Sequence, residues 1–340
     1  MNKLPIYAGF LASAISLALT GCSDGTNNTV DDVIEDVIDD SDDDAETSDD
    51  SILSVDTSLF ASDSLVSVET VDCTLSNGTE TSCYSITVSG FPADRTELGD
   101  FCPDTIEATA DEGGKWFDDG VLYDLTGSFI ENLDVFYGDS YWQLYDEDTG
   151  LINITDTQVA CEAAAQPQVE AQYYNHCVQC DLDYFADEVG GGVASTYLIP
   201  VTPVFRSSAG NLSGNTGVAL NGVNMAAAAP TEAILSAYTI AAFDDCVGHV
   251  NPVAGYHYHG ANHGDGDCPA IEFEVDGHAG MIGYAMDGFA IYGMLDENGD
   301  EATDLDSCRG QTDDVRGYHY HSAGPGENTF IGCFSGETAN

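Results

Sequence analysis

Basic residues are almost missing from this chain: six Lys and Arg stand against 60 Asp and Glu in 340 residues, a formal net charge of −54. A field of that sign repels nucleic acid and anionic lipid head groups, so neither is expected as a partner. It suits a saline habitat, where self-repulsion is screened. Familiar motifs are missing too. No Gly-Lys-Ser/Thr follows Gly190-Gly191-Gly192, so there is no phosphate loop. Asp296, Asn298 and Asp300 alternate, but Gly299 and the missing Glu at the twelfth position do not fit an EF-hand. A hairpin turn is the expected use of that segment, and of Asp265 and Asp267. No serine or cysteine nucleophile motif is visible. The apolar stretch from Ile6 to Leu19 is too short to favour a spanning helix.

That stretch reads as a secretory signal instead. Lys3 precedes it, and Leu19-Thr20-Gly21-Cys22 follows in the manner of a bacterial lipobox. Residues 1–22 are the expected signal peptide, with Cys22 lipidated as the first mature residue. Ser23 carries no inner-membrane retention signal, so the expected location is the cell envelope, anchored by lipid to the outer membrane. The membrane is then a partner through that anchor alone, and protein partners are not readable. Residues 23–54 are the expected acidic tether. Within them, 24–50 hold thirteen of the acids, no Lys or Arg and no aromatic residue, so too little apolar area is available to offset ordering entropy. A β-rich region over 55–210 and a duplicated domain over 211–340 complete the expected organisation.

Eleven cysteines are present. Lipidation of Cys22 leaves Cys73, Cys83, Cys102, Cys161, Cys177, Cys180, Cys246, Cys268, Cys308 and Cys333, an even set that reads as a disulfide framework in an exported chain. Cys73 and Cys83 flank Asn77-Gly78, a favoured hairpin turn, and are expected to pair across it. The Cys177-Val178-Gln179-Cys180 segment can bind metal or exchange thiols, but structural bridging is the expectation outside the cytosol. Cys246 and Cys308 are candidates to pair with Cys268 and Cys333, locally or across the repeat. Elsewhere, Asp148-Thr149-Gly150 reads as a hairpin turn, Ser128 as the cap of a helix reaching Phe136, and Gln158–Ala165 as a second helix. Thr196–Pro200 reads as a strand and Thr231–Ala242 as room for one short helix.

The last 130 residues repeat themselves. Gly255-Tyr256-His257-Tyr258-His259 returns as Gly317-Tyr318-His319-Tyr320-His321. Asp244-Asp245-Cys246-Val247-Gly248-His249 returns as Asp306-Ser307-Cys308-Arg309-Gly310-Gln311, ten residues from cysteine to tyrosine each time. Ala219-Leu220-Asn221-Gly222 returns as Ala285-Met286-Asp287-Gly288. The blocks keep one order, so this is an internal duplication. The expected fold is mainly β with short helices (α+β being possible), disulfide-linked, with a pseudo-two-fold domain built on the duplication. These blocks, with Gly283–Gly293, resemble the YHYH domain of bacterial exported proteins, over an expected span of about residues 80–335. The resemblance implies membership and no particular reaction. Two features depart from the family pattern. Asn224 and Ala290 stand where proline is frequent, and Gln311 stands where the second block usually ends in histidine.

Alternate residues of a strand share a face, so His257 and His259 lie on one side and the tyrosines on the other. The same holds for His319 and His321. Two imidazoles on one strand face are a common way to hold zinc or copper. The expectation is one metal site where the two YHYH strands meet, with His249 and Asp287 as further ligands or, in an enzyme, as general base. Asp287 and Asn221 are expected to orient imidazole N–H groups. His263 and His278 fall outside the duplicated blocks. Three function classes follow: a metal-binding envelope lipoprotein, a metal-dependent hydrolase or oxidoreductase using the same site, and a structural or adhesive module whose histidines only hold loops.

Overall fold

The structure is a computed structural model that describes residues 52–185, 191–212 and 214–340. The signal segment, Cys22 and nearly all of the tether lie outside the described residues. Among the described residues, no helix is long and apolar enough to cross a membrane.

The chain opens on the hairpin β1 (Leu65–Thr74) and β2 (Glu80–Val88). Gly78 takes φ +88° in its turn, and Cys73 bonds Cys83 across it, as expected. A second hairpin joins β3 (Lys115–Asp118) and β4 (Val121–Asp124). The helix expected through Phe136 is broken into α1 (Gly127–Glu131) and α2 (Leu133–Phe136), and Thr126, not Ser128, caps it by accepting the Phe129 N–H. The expected hairpin at Asp148–Gly150 keeps its turn, but its arms meet only at the isolated bridge between Tyr145 and Ile152. Helix α3 (Gln158–Ala164) starts under the Thr157 side chain. Then come β5 (Cys177–Val178), β6 (Ser195–Pro200), which extends the β1–β2 sheet, and β7 (Phe205–Gly210).

The duplicated part follows as β8 (Asn215–Ala219), β9 (Asn224–Ala226), α4 (Thr231–Leu235), β10 (Ile240–Ala241), β11 (Gly248–Asn251) and β12 (Gly255–Tyr258). It continues as β13 (Met281–Ala285), β14 (Ala290–Tyr292), β15 (Gly310–Asp313), β16 (Gly317–His321) and β17 (Phe334–Gly336). Helix α4 does not run to Ala242. Tyr238 turns to φ 55°, and Ile240–Ala241 pairs with β5 as a parallel strand.

Eight of these strands form one sheet in the order β11-β12-β9-β8-β13-β14-β16-β15. At its centre β8 and β13 run antiparallel, with Val218 opposite Tyr284, Gly217 opposite Ala285 and Ala219 opposite Gly283. Outward from this pair the order is β9, β12, β11 on one side and β14, β16, β15 on the other. The fold is mainly β and carries five disulfides among the described residues. Cys102 bonds Cys177 and Cys161 bonds Cys180, so the CxxC segment holds two structural bridges. Cys246–Cys268 and Cys308–Cys333 are local to each copy of the repeat.

Candidate metal centre

The tyrosine face of the YHYH strands is a loop anchor. In β12, the Tyr256 hydroxyl donates to Asp244 Oδ2 at 2.6 Å, while Asp244 Oδ1 accepts the N–H groups of Cys246 and Gly248. In β16, Tyr318 does the same to Asp306, which accepts from Cys308 and Gly310. This explains the Asp-x-Cys-x-Gly block. The carboxylate folds the turn, the cysteine bridges it, and the glycine leaves room for the tyrosine. A Cβ on Gly248 or Gly310 would stand 2.3 or 1.8 Å from the tyrosine hydroxyl. Arg95, 5% exposed in its side chain, pairs with fully buried Asp244 at 2.6 Å in the first copy only.

The second tyrosines reach the other block. Tyr320 donates to Asp287 Oδ2 at 2.6 Å, and Gly336 N–H donates to the same oxygen. Asn221 Nδ2 donates to the Tyr258 hydroxyl at 3.0 Å. Asp287 and Asn221 therefore orient tyrosines, not imidazoles, and Asp287 stands on the face away from the histidines. Burial pushes the Asp287 carboxyl up to about 6.

The histidine face carries two clusters in place of one. His257, His259, His319 and His321 do not meet, because β9, β8, β13 and β14 lie between their strands. Five strand spacings of about 4.8 Å put them roughly 24 Å apart along the sheet. Each pair instead gains a local third histidine. His249, His257 and His259 form one triad, and His278, His319 and His321 the other, with one ligand nitrogen from each residue within 4.8 Å of the other two. His249 stands opposite His257 in the β11–β12 ladder. His278 comes from the loop before β13, outside every duplicated block, and no spacing in the sequence marked it. His263 lies beside Tyr258 and Cys268, and half-buried His176 bonds the Tyr174 carbonyl; neither joins a triad.

The second triad could hold a cation. The Nδ1 atoms of His278, His319 and His321 face the carbonyls of Ala279, Gly317 and Gly293 at 2.8, 2.9 and 3.1 Å. Each contact requires Nδ1–H as donor, which leaves the lone pair on Nε2. All three Nε2 atoms are buried and have no hydrogen-bond partner in the protein. Burial, reinforced by the neighbouring His319, pushes the His321 imidazole down to about 4, and burial lowers His319 as well. Those two rings are therefore neutral at neutral pH, the state a metal requires. Arg316, in ion pairs with Asp276 and Asp313, ties the His278 loop to the β15–β16 turn.

The first triad repeats the plan with differences. His257 Nδ1 donates to the Gly255 carbonyl at 3.0 Å. Gly255 and Gly317 both take positive φ, 69° and 59°, a bend that glycine makes without a Cβ penalty and that aims each carbonyl at its histidine. His249 and His257 touch through their Nε2 atoms at 3.1 Å. With His257 Nδ1 protonated, His249 is the donor. Beside His259 stands the Ala227 carbonyl, in the place of Gly293; it favours the charged ring but makes no hydrogen bond with Nδ1, which is buried and unpartnered. Burial lowers all three imidazoles, with mutual repulsion adding to the effect at His249 and His259. The triad backs onto Phe243, whose ring centroid is 4.6 Å from that of His249.

Residues 196–335 match the family model described as YHYH protein. The upstream blocks around Cys102 and Cys177, expected within the resemblance, precede the matched span. No curated protein and no solved structure matches the chain. The chain therefore carries a YHYH domain over residues 196–335.

Proposed function

We propose that the chain is an exported, lipid-anchored envelope protein whose YHYH domain holds a transition metal, zinc or copper, in two three-histidine sites related by a pseudo-two-fold axis. The observation that carries this reading is the trio of Nε2 atoms of His278, His319 and His321, all buried and unpaired. An unsatisfied buried polar atom costs about 1–3 kcal/mol. Three of them gathered within 4.8 Å, each on a ring already oriented through Nδ1, are accounted for by a shared cation. A purely structural use explains the tyrosine face, where every hydroxyl has a partner, but leaves these nitrogens without a purpose. Three imidazole nitrogens suit zinc or copper far better than magnesium or calcium.

The enzymatic reading uses the same triads. Asp287 is not its general base, since it is committed to Tyr320 on the opposite face. His249 belongs with the ligands. The test is a titration of tag-free, chelator-treated protein with zinc or copper. Saturable uptake at both triads supports the proposal, and folded protein with no saturable uptake sinks it.

A further inference from the structure

The two triads open on different surroundings. The segment joining β14 to β15 forms an acidic cleft of about 320 Å³ at His278 and His321, lined by Asp296, Glu297, Asp300 and Glu301. The corresponding segment of the first copy, between β9 and β11, is α4 and β10. With the chain around α3 and β5 it walls a cavity of about 320 Å³ that ends on His249, His257 and His259. Ala164, Pro167, Val178, Ala233, Ile234 and Ala241 are among its lining. No Asp, Glu, Lys or Arg lines it, in a chain with 60 acids. Several of its neutral polar side chains hold backbone groups. The Thr239 hydroxyl donates to the Ile234 carbonyl, Gln179 Oε1 accepts the Cys102 N–H, and Asn251 Oδ1 accepts two backbone N–H groups.

We infer that the first triad, unlike the second, is a ligand site: it takes a small neutral molecule with an apolar body and a single donor atom, which completes the coordination of the triad's metal. This rests on the metal reading above. Three histidine ligands leave a position for an exogenous donor. The apolar wall supplies affinity for the rest of the molecule, and the absence of charged walls disfavours an ionic one. The acidic cleft of the second triad has the opposite preference, for the bare cation.

The test uses the His278→Ala chain loaded with cobalt(II), so that the visible bands report the first triad alone. Metal content is measured first. 4-Phenylimidazole is then titrated against imidazole as the probe pair. The expected result is binding of the phenyl compound at least about tenfold tighter than imidazole. Ala233→Phe, which fills the cavity from half-exposed α4, is expected to abolish that preference with cobalt content unchanged. Cobalt bound with equal affinity for both probes, or a preference that survives Ala233→Phe, would overturn the inference and leave the metal reading standing. No cobalt at His249, His257 and His259 in folded protein would overturn both.

Discussion

Gln311 stands directly opposite His319 in the β15–β16 ladder, yet its side-chain amide turns away and donates to the Thr303 carbonyl at 3.2 Å. The same register position opposite His257 is held by His249, which does join its triad. The second triad is thus completed from elsewhere, by His278, and one scaffold builds two triads from different third histidines.

The first prediction follows from that difference. His278→Ala should weaken metal binding at the second triad by more than the roughly 10–100-fold typical of an outer hydrogen-bond partner, because it removes a ligand. Gln311→Ala should leave affinity within a few-fold. Competition titrations against a chromophoric chelator measure both. Equal losses would mean that Gln311 matters to the metal as much as His278 and would contradict the assignment of His278 as the third ligand.

The tyrosine face predicts stability effects without metal effects. Asp244→Ala strands the buried Arg95 guanidinium and should cost about 3–5 kcal/mol. Tyr256→Phe removes a hydroxyl that donates to the buried Asp244 carboxylate and should cost about 1.5–3 kcal/mol. Urea unfolding measures both, and Tyr256→Phe should keep the metal content of the parent. A Tyr256→Phe protein that is stable but metal-free would assign this tyrosine to the site.

Asp287 predicts a pH dependence. Its carboxyl is raised to about 6 in the fold against an ordinary 3.8. A raised value means that the folded chain holds the proton more tightly than the unfolded one. The contribution to stability is therefore full below about 3.8 and is lost as pH climbs through about 6. Asp287→Asn can still accept from Tyr320 and Gly336 but cannot titrate. Between about pH 4 and pH 6 the parent should lose stability relative to this variant, with no further change above. Parallel stability curves across that window would contradict the assignment.

Much of this was legible in the residues. The alternation in the two YHYH segments separated tyrosines from histidines, and the hairpin turn at Asn77-Gly78 placed Cys73 beside Cys83. The meeting of the two YHYH strands was not legible and proved wrong, because strand order is a tertiary property. The central pairing of β8 with β13 pushes β12 and β16 outward. Asp287 was misread for a related reason. A residue in the turn beyond a strand does not reveal which face it serves, and Tyr320 claimed it. His278 carried no repeat signal at all. Only the fold of the loop before β13, held by the Arg316–Asp276 ion pair, brings it to His319 and His321.

The central claim is two metal sites, one per histidine triad. Its most direct test is elemental analysis of tag-free protein prepared with zinc or copper in excess, beside the paired variants His257→Ala/His259→Ala and His319→Ala/His321→Ala. Two bound ions per chain are expected in the parent, one in each paired variant and none in the combined variant, all still folded by circular dichroism. A single ion lost with either pair would restore one shared site, and folded parent protein without bound metal would overturn metal binding at both triads.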